Sequence, residues 1–125
     1  MKAISVRQPW AWAIIHASKD VENRTWSTKY RGPLLIHAAK GLDLEALRVF
    51  KHNLNRFEHR TELENRLQYG GIIGQVDLVK VITDSTSPWA EPGMKHWIFK
   101  NAKPLPFHPC RGWPGLFDMD HPNCG

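Results

Sequence analysis

An α+β fold of about five strands, one short buried helix and one longer amphipathic helix is what the order of residues predicts. Three observations carry it. Residues 72–82, IIGQVDLVKVI, are dense in Val and Ile over the length of a strand. Residues 10–17, WAWAIIHA, are apolar nearly all round at helical spacing, the mark of a buried helix. Residues 42–69 set Leu44, Leu47, Phe50, Leu54, Phe57, Leu63 and Leu67 on one stripe and charged side chains on the other face.

The elements follow in order. Ile4 and Val6 alternate with Ser5 and Arg7, so the N-terminus reads as an edge strand. Gln8-Pro9 opens the first helix, with Pro9 in the first turn, where its missing N–H costs nothing. A strand over Val21–Trp26 comes next. Tyr30-Arg31-Gly32-Pro33 is a turn, and Leu34–Ala38 a strong strand. The long amphipathic segment ends at Gly70-Gly71, with Asn53 and Asn55 as points where it divides. After the strand over 72–82, residues 84–88 form a loop and Lys95–Phe99 another strand. Past Asn101, Pro104, Pro106, Pro109 and Pro114 suit extended segments that close a small barrel. There are no internal repeats and no linker, and residues 1–125 are expected to form one domain with its own core.

Seventeen Lys and Arg against twelve Asp and Glu give a net charge of +5 and favour polyanionic partners, nucleic acid first. Six tryptophans add possible stacking surfaces for unpaired bases. Two cysteines offer no disulfide framework, so a reducing cytoplasm is expected. No run approaches membrane-span length, and the N-terminus lacks the shape of a signal peptide. No Gly-rich phosphate loop, Ser-His-Asp order or nucleotide fingerprint appears, and no cofactor is expected. His108-Pro109-Cys110 and His121-Pro122-Asn123-Cys124 echo each other without metal-ligand spacing, so no metal site is expected.

Lys19, Glu22 and Arg24 crowd three charges into six residues after the apolar helix. A strand there projects Glu22 and Arg24 from one face and Val21, Asn23 and Thr25 from the other. Such a group is a candidate polar pocket; spacing alone leaves open a solvated strand with an ordinary ion pair. A lysine beside a carboxylate suits binding a phosphate or polarising a carbonyl, and an arginine grips phosphate or stacks on a base. Arg7 and Gln8 stand at a helix N-terminus, a natural anion site, and are better ligand candidates than Trp10, which reads as core. Tyr30 and Arg31 on the turn and Lys40 past the next strand extend the basic rim. Asp77 needs a partner inside its strand, and Lys19 or Arg24 would serve. His37 reads as a satisfied core histidine.

The segment Ala17-Ser18-Lys19-Asp20-Val21-Glu22-Asn23-Arg24 resembles the Gly-x-Lys-x-x-Glu-x-Arg motif of the ASCH domain family, a branch of the PUA-like β-barrels. Lys19, Glu22 and Arg24 match it, and Ala17 stands where the family has glycine. The blocks Ser5–Ala11, Tyr30–Leu34 and Gly71–Leu78 are similar to the family in order and kind, so the resemblance covers nearly the whole chain. It implies a PUA-like small β-barrel and RNA or nucleotide binding in a cleft lined by Lys19, Glu22 and Arg24. Arg7, Gln8, Tyr30, Arg31 and Lys40 would be further contacts. It also implies an enzymatic alternative, in which Lys19 and Glu22 would be catalytic. Some bacterial relatives are amidohydrolases acting on N4-acetylcytidine, and ribonuclease activity is attributed to others. The amidohydrolases carry threonine where this chain has Glu22, so that hydroxyl nucleophile is absent here. A protein-interaction adaptor is a third reading. The expected partner is RNA, single-stranded nucleic acid or a nucleoside, bound by a monomer, with no membrane. On this reading, Lys19→Ala weakens ligand binding and leaves the domain folded.

Overall fold

The structure, a computed structural model, describes residues 1–53 and 65–119. Strand β1 (Lys2–Gln8) leads into helix α1 (Trp10–His16), then β2 (Val21–Arg24) and β3 (Gly32–Leu42). Helix α2 (Leu44–Asn53), β4 (Gly71–Ile82), β5 (Lys95–Pro109) and β6 (Leu116–Asp118) complete the order. The six strands make one mixed sheet in the order β2-β5-β4-β3-β1-β6, with β1 and β3 parallel and every other pairing antiparallel.

The α+β class and the two-helix content agree with the sequence reading, while the expected barrel and strand number are corrected. The sheet is open, and it has six strands. Its sixth, Leu116–Asp118, pairs with Lys2–Ile4 and so removes β1 from the edge where its position in the chain had put it. Three residues in a Pro/Gly-rich tail carry too little pattern to read as a strand; their pairing with β1 is what makes them one. β5 likewise runs through Pro104 and Pro106 to Pro109, well past the predicted Lys95–Phe99. Its ladder with β4 shifts register between Ile72 and Gly74, opposite Pro104–His108, which accommodates residues that cannot donate, and again between Gln75 and Asp77, opposite Asn101 with its positive φ of 55°.

Helix α1 forms because seven residues without Gly or Pro present apolar surface on every side, and Ala11 through Ile15 are all buried. It lies on the sheet over Ile4, Val6, Leu34, Ile36, Ile73, Val76, Leu78, Trp97 and Phe99. Its other side, through Trp12 and Ala13, meets Leu47 and Leu67. That double contact explains the missing polar face. Asp43 starts α2, its carboxylate accepting the Ala46 N–H at 3.0 Å. The predicted stripe positions Leu54, Phe57 and Leu63, and Asn55, lie outside the described residues. Among the described residues no helix is long and apolar enough to cross a membrane.

Candidate nucleic-acid interface

Helix α1 ends at Ala17 with φ −123° and ψ 21°, and Ser18 takes the left-handed conformation at φ 58°. The glycine of the family motif is therefore not needed at position 17, since the positive φ falls one residue later. This turn sends the Lys19 N–H back to the Ala13 carbonyl at 3.1 Å and delivers the Lys19 side chain to the start of β2. There its ammonium donates to the Val21 carbonyl and to Glu22 Oε1 at 3.1 Å. Glu22 Oε2 accepts from Arg24 Nε at 3.1 Å, and Arg24 Nη2 donates to the Ser5 carbonyl at 2.7 Å. The Lys19 ammonium also stands 5.5 Å from the centre of the Trp10 ring.

Lys19 and Glu22 are 4% and 8% exposed. Burying either charge alone would be unfavourable by several kcal/mol, and one carboxylate shared by two cations offsets that. The alternation read from the sequence holds, with Glu22 and Arg24 on one face and in contact. Both carboxylate oxygens are occupied, so the resting Glu22 is a structural acceptor. Arg24, with 23% of its side chain exposed, is the member of the group that solvent reaches most.

Gln8 is fully buried. Its Oε1 accepts the Trp12 N–H at 2.9 Å and its Nε2 donates to the Gln68 carbonyl at 2.9 Å. The open helix terminus expected at this junction is thus partly closed by the chain's own side chain, because the glutamine one residue ahead of Pro9 turns back over the first turn. Arg7, by contrast, is exposed and donates to the Leu42 carbonyl at 3.3 Å.

Arg7 and Lys40 come together at the ends of the parallel pair β1 and β3. They line a cavity of about 870 Å³ with Ser5, His37, Arg111 and Trp113. No Asp or Glu is among its lining residues. Its wall is stitched by backbone bonds from Gly70 to the Ala38 carbonyl (2.7 Å) and from Cys110 to the Gly70 carbonyl (3.1 Å). The Arg111 guanidinium stacks on the Trp113 ring at 4.3 Å. A smaller cavity of about 420 Å³ opens beside the end of α1 and is lined by His16, Lys19, Asp20, Lys100 and Asn101 among others.

Tyr30 and Arg31 lie elsewhere. Arg31 stands just ahead of β3 and Lys40 near its far end, nine residues of strand apart, roughly 30 Å. Arg31 Nη1 donates to the Thr28 and Tyr30 carbonyls at 2.7 Å, and the Tyr30 hydroxyl donates to the Pro33 carbonyl, so both side chains close their own turn. Asp77 does not meet Lys19 or Arg24: it accepts from Asn101 Nδ2 at 2.8 Å and pairs opposite Lys100 in the ladder.

His37 is the buried, satisfied histidine expected of its strand. Nδ1 lies 2.6 Å from Ser5 Oγ and Nε2 2.8 Å from the Cys110 carbonyl. Burial lowers its pKa below the ordinary histidine value, and the bond to the Cys110 carbonyl partly opposes this. Among the described residues no group of three His, Cys, Asp or Glu could hold a metal; His121 and Cys124 lie outside them.

Ser5, Arg111 and Trp113 are the cavity residues that the sequence reading did not single out. Arg111-Gly112-Trp113 is a basic-aromatic cluster in a proline-rich tail, a signal present but without a location. Ser5 sits in a strand as an ordinary polar position, and only its pairing opposite His37 distinguishes it.

The ASCH domain profile matches residues 4–109 of this chain. The chain is similar to human activating signal cointegrator 1, with 27% identity over 127 residues. That alignment takes in 94% of this chain and 22% of the relative, so the chain spans about a fifth of the protein it matches.

Proposed function

This chain belongs to the ASCH domain family, and from that premise we propose that it binds single-stranded RNA or a nucleotide in the cavity at the ends of β1 and β3. The observation that carries the reading is the composition of that cavity: Arg7, Lys40 and Arg111 with Trp113, and no carboxylate among the lining residues. Three cations around about 870 Å³ suit phosphate groups, and an arginine stacked on an indole presents a flat surface to a base. The resemblance supports the same class of ligand, and the +5 charge favours it at longer range.

Lys19, Glu22 and Arg24 are not among the lining residues of this cavity, and Lys19 borders the smaller one, so their part here is a supporting one. Their buried network ties β2 to the Ser5 carbonyl, and the Ser5 side chain lines the cavity. Arg7 and Lys40 are the direct contacts, Gln8 fixes the helix start behind them, and Tyr30 and Arg31 belong to a separate turn.

The test is fluorescence anisotropy of a labelled mixed-sequence single-stranded RNA, titrated across salt concentrations. Binding should weaken linearly with the logarithm of salt. Arg7→Ala and Lys40→Ala should each lower the slope by about 0.7, and the double variant by about 1.4, with the melting temperature unchanged. An unchanged slope in the double variant would remove this cavity from the RNA path. Absence of binding at low salt would remove the reading itself.

A further inference from the structure

The cavity contains a hydrogen-bonded relay that the binding of RNA does not require. The Cys110 carbonyl can only accept, so His37 Nε2 carries the ring proton in the bond between them. In the neutral ring Nδ1 is then an acceptor, and the Ser5 hydroxyl, 2.6 Å away, is its donor. A serine hydroxyl thus faces an imidazole base whose tautomer is fixed by a third group, and both side chains line the cavity that holds Arg7, Lys40 and Arg111. Nucleophile, base and orienting acceptor in this sequence are the arrangement used for covalent acyl transfer.

Two further features fit that use. Burial lowers the pKa of His37, which favours the neutral ring whose Nδ1 can accept the serine proton. Gly112 passes directly over the pair: a Cβ there would fall on Ser5 Oγ and lie 2.7 Å from His37 Cε1. A side chain at 112 would displace the serine hydroxyl, so glycine there is what lets Ser5 Oγ stay against His37 Nδ1.

We propose that Ser5 and His37 form a nucleophile–base pair that hydrolyses a carboxylic ester carried by a phosphate-bearing molecule held by the cavity's cations. The anionic part of that substrate rests on the binding reading above; the serine chemistry does not. In the first step Ser5 Oγ bonds to the ester carbonyl carbon and the ester C–O bond breaks. The hydroxyl proton moves to His37 Nδ1 and from there to the departing alkoxide. In the second step water attacks the acyl-serine and gives its proton to the same nitrogen, which returns it to Ser5 as the carboxylic acid leaves. Water is the sole co-reactant, and no electrons change hands.

The full chain should hydrolyse 2′(3′)-O-acetyl adenosine monophosphate, and do so at least ~10-fold faster than O-acetyladenosine, which lacks the phosphate. Ser5→Ala should lower the rate by about 100-fold or more, within the range of lost nucleophile and base catalysis. A wild-type rate equal to buffer, or an unchanged rate in Ser5→Ala, overturns the proposal whatever the RNA titration shows. Ser5-dependent hydrolysis without RNA binding supports the pair and defeats the RNA reading instead. Should Ser5→Ala unfold, mass mapping of the acetylated wild-type chain decides: acetyl on Ser5 supports the pair, and acetyl confined to lysines overturns it.

Discussion

Arg24 Nη2 donates to the carbonyl of Ser5 at 2.7 Å, and the two residues belong to strands that never pair. β2 is one end of the sheet order, and β1 is the fifth strand of six. The sheet must therefore curl far enough to bring its two sides within one side chain of each other. β6 occupies β1 only over Lys2–Ile4, and the arginine takes the next carbonyl along. A guanidinium closes the seam that a hydrogen-bonded ladder leaves open, and Glu22 and Lys19 hold that guanidinium in place.

Arg24→Ala should destabilise the domain by about 2 kcal/mol, because it removes a charge-assisted bond and one of the two partners of Glu22. For a chain of this length that is a melting-temperature drop of roughly 8 °C, read by circular dichroism. A shift below about 2 °C would mean that the seam is held by apolar packing alone.

Lys19→Ala should be more damaging, by about 3 kcal/mol, since it leaves a buried carboxylate and the Val21 carbonyl without their ammonium. Lys19→Met, which keeps the apolar stem, should recover part of that loss. Urea midpoints of the two variants check it. Wild-type stability in Lys19→Ala, with weakened RNA binding, would return the ammonium to the ligand role that the motif suggests.

Stability should fall as pH drops below about 6.5, the ordinary histidine value. Burial lowers the folded-state pKa of His37, and burial with the nearby Arg66 lowers that of His16. Below 6.5 the unfolded chain takes up protons that the folded chain refuses, so unfolding gains. The contribution is fully present above 6.5 and is lost as pH falls through the folded values. Urea midpoints at pH 7.5 and 5.5 should differ, and the difference should shrink in His16→Gln.

Gly112→Ala should distort the cavity without touching any of its cations. The added methyl meets Ser5 and His37, and also lies 2.8 Å from His37 Nδ1, so the 110–114 segment must lift. Overpacking of this kind is destabilising by about 1–3 kcal/mol. Thermal melting gives the loss, and the histidine side-chain NMR signal of His37 should move with it. An unmoved signal would place the segment farther from the ring.

The sequence by itself determined the elements whose signal is local. α1 is legible because an apolar octet without a polar face has to be buried, and β3 and β4 are legible because β-branched and apolar residues fill a strand's length. The contact of Glu22 with Arg24 follows from strand alternation, and the burial of His37 from the apolar strand around it. What only the tertiary structure decided depends on partners far away in the chain. Leu116–Asp118 is a strand because β1 offers it an edge. Lys19 is buried because the turn after α1 carries its ammonium against the Val21 carbonyl, Glu22 and the Trp10 ring. Asp77 finds Asn101 because the β4–β5 register places them together. The cavity joins Arg7, Lys40 and Arg111, the first and last more than a hundred positions apart, and Ser5 meets His37 only through a parallel pairing. Periodicity reports which face of an element is apolar; it carries no information about which element will cover that face, and the site is made of those coverings.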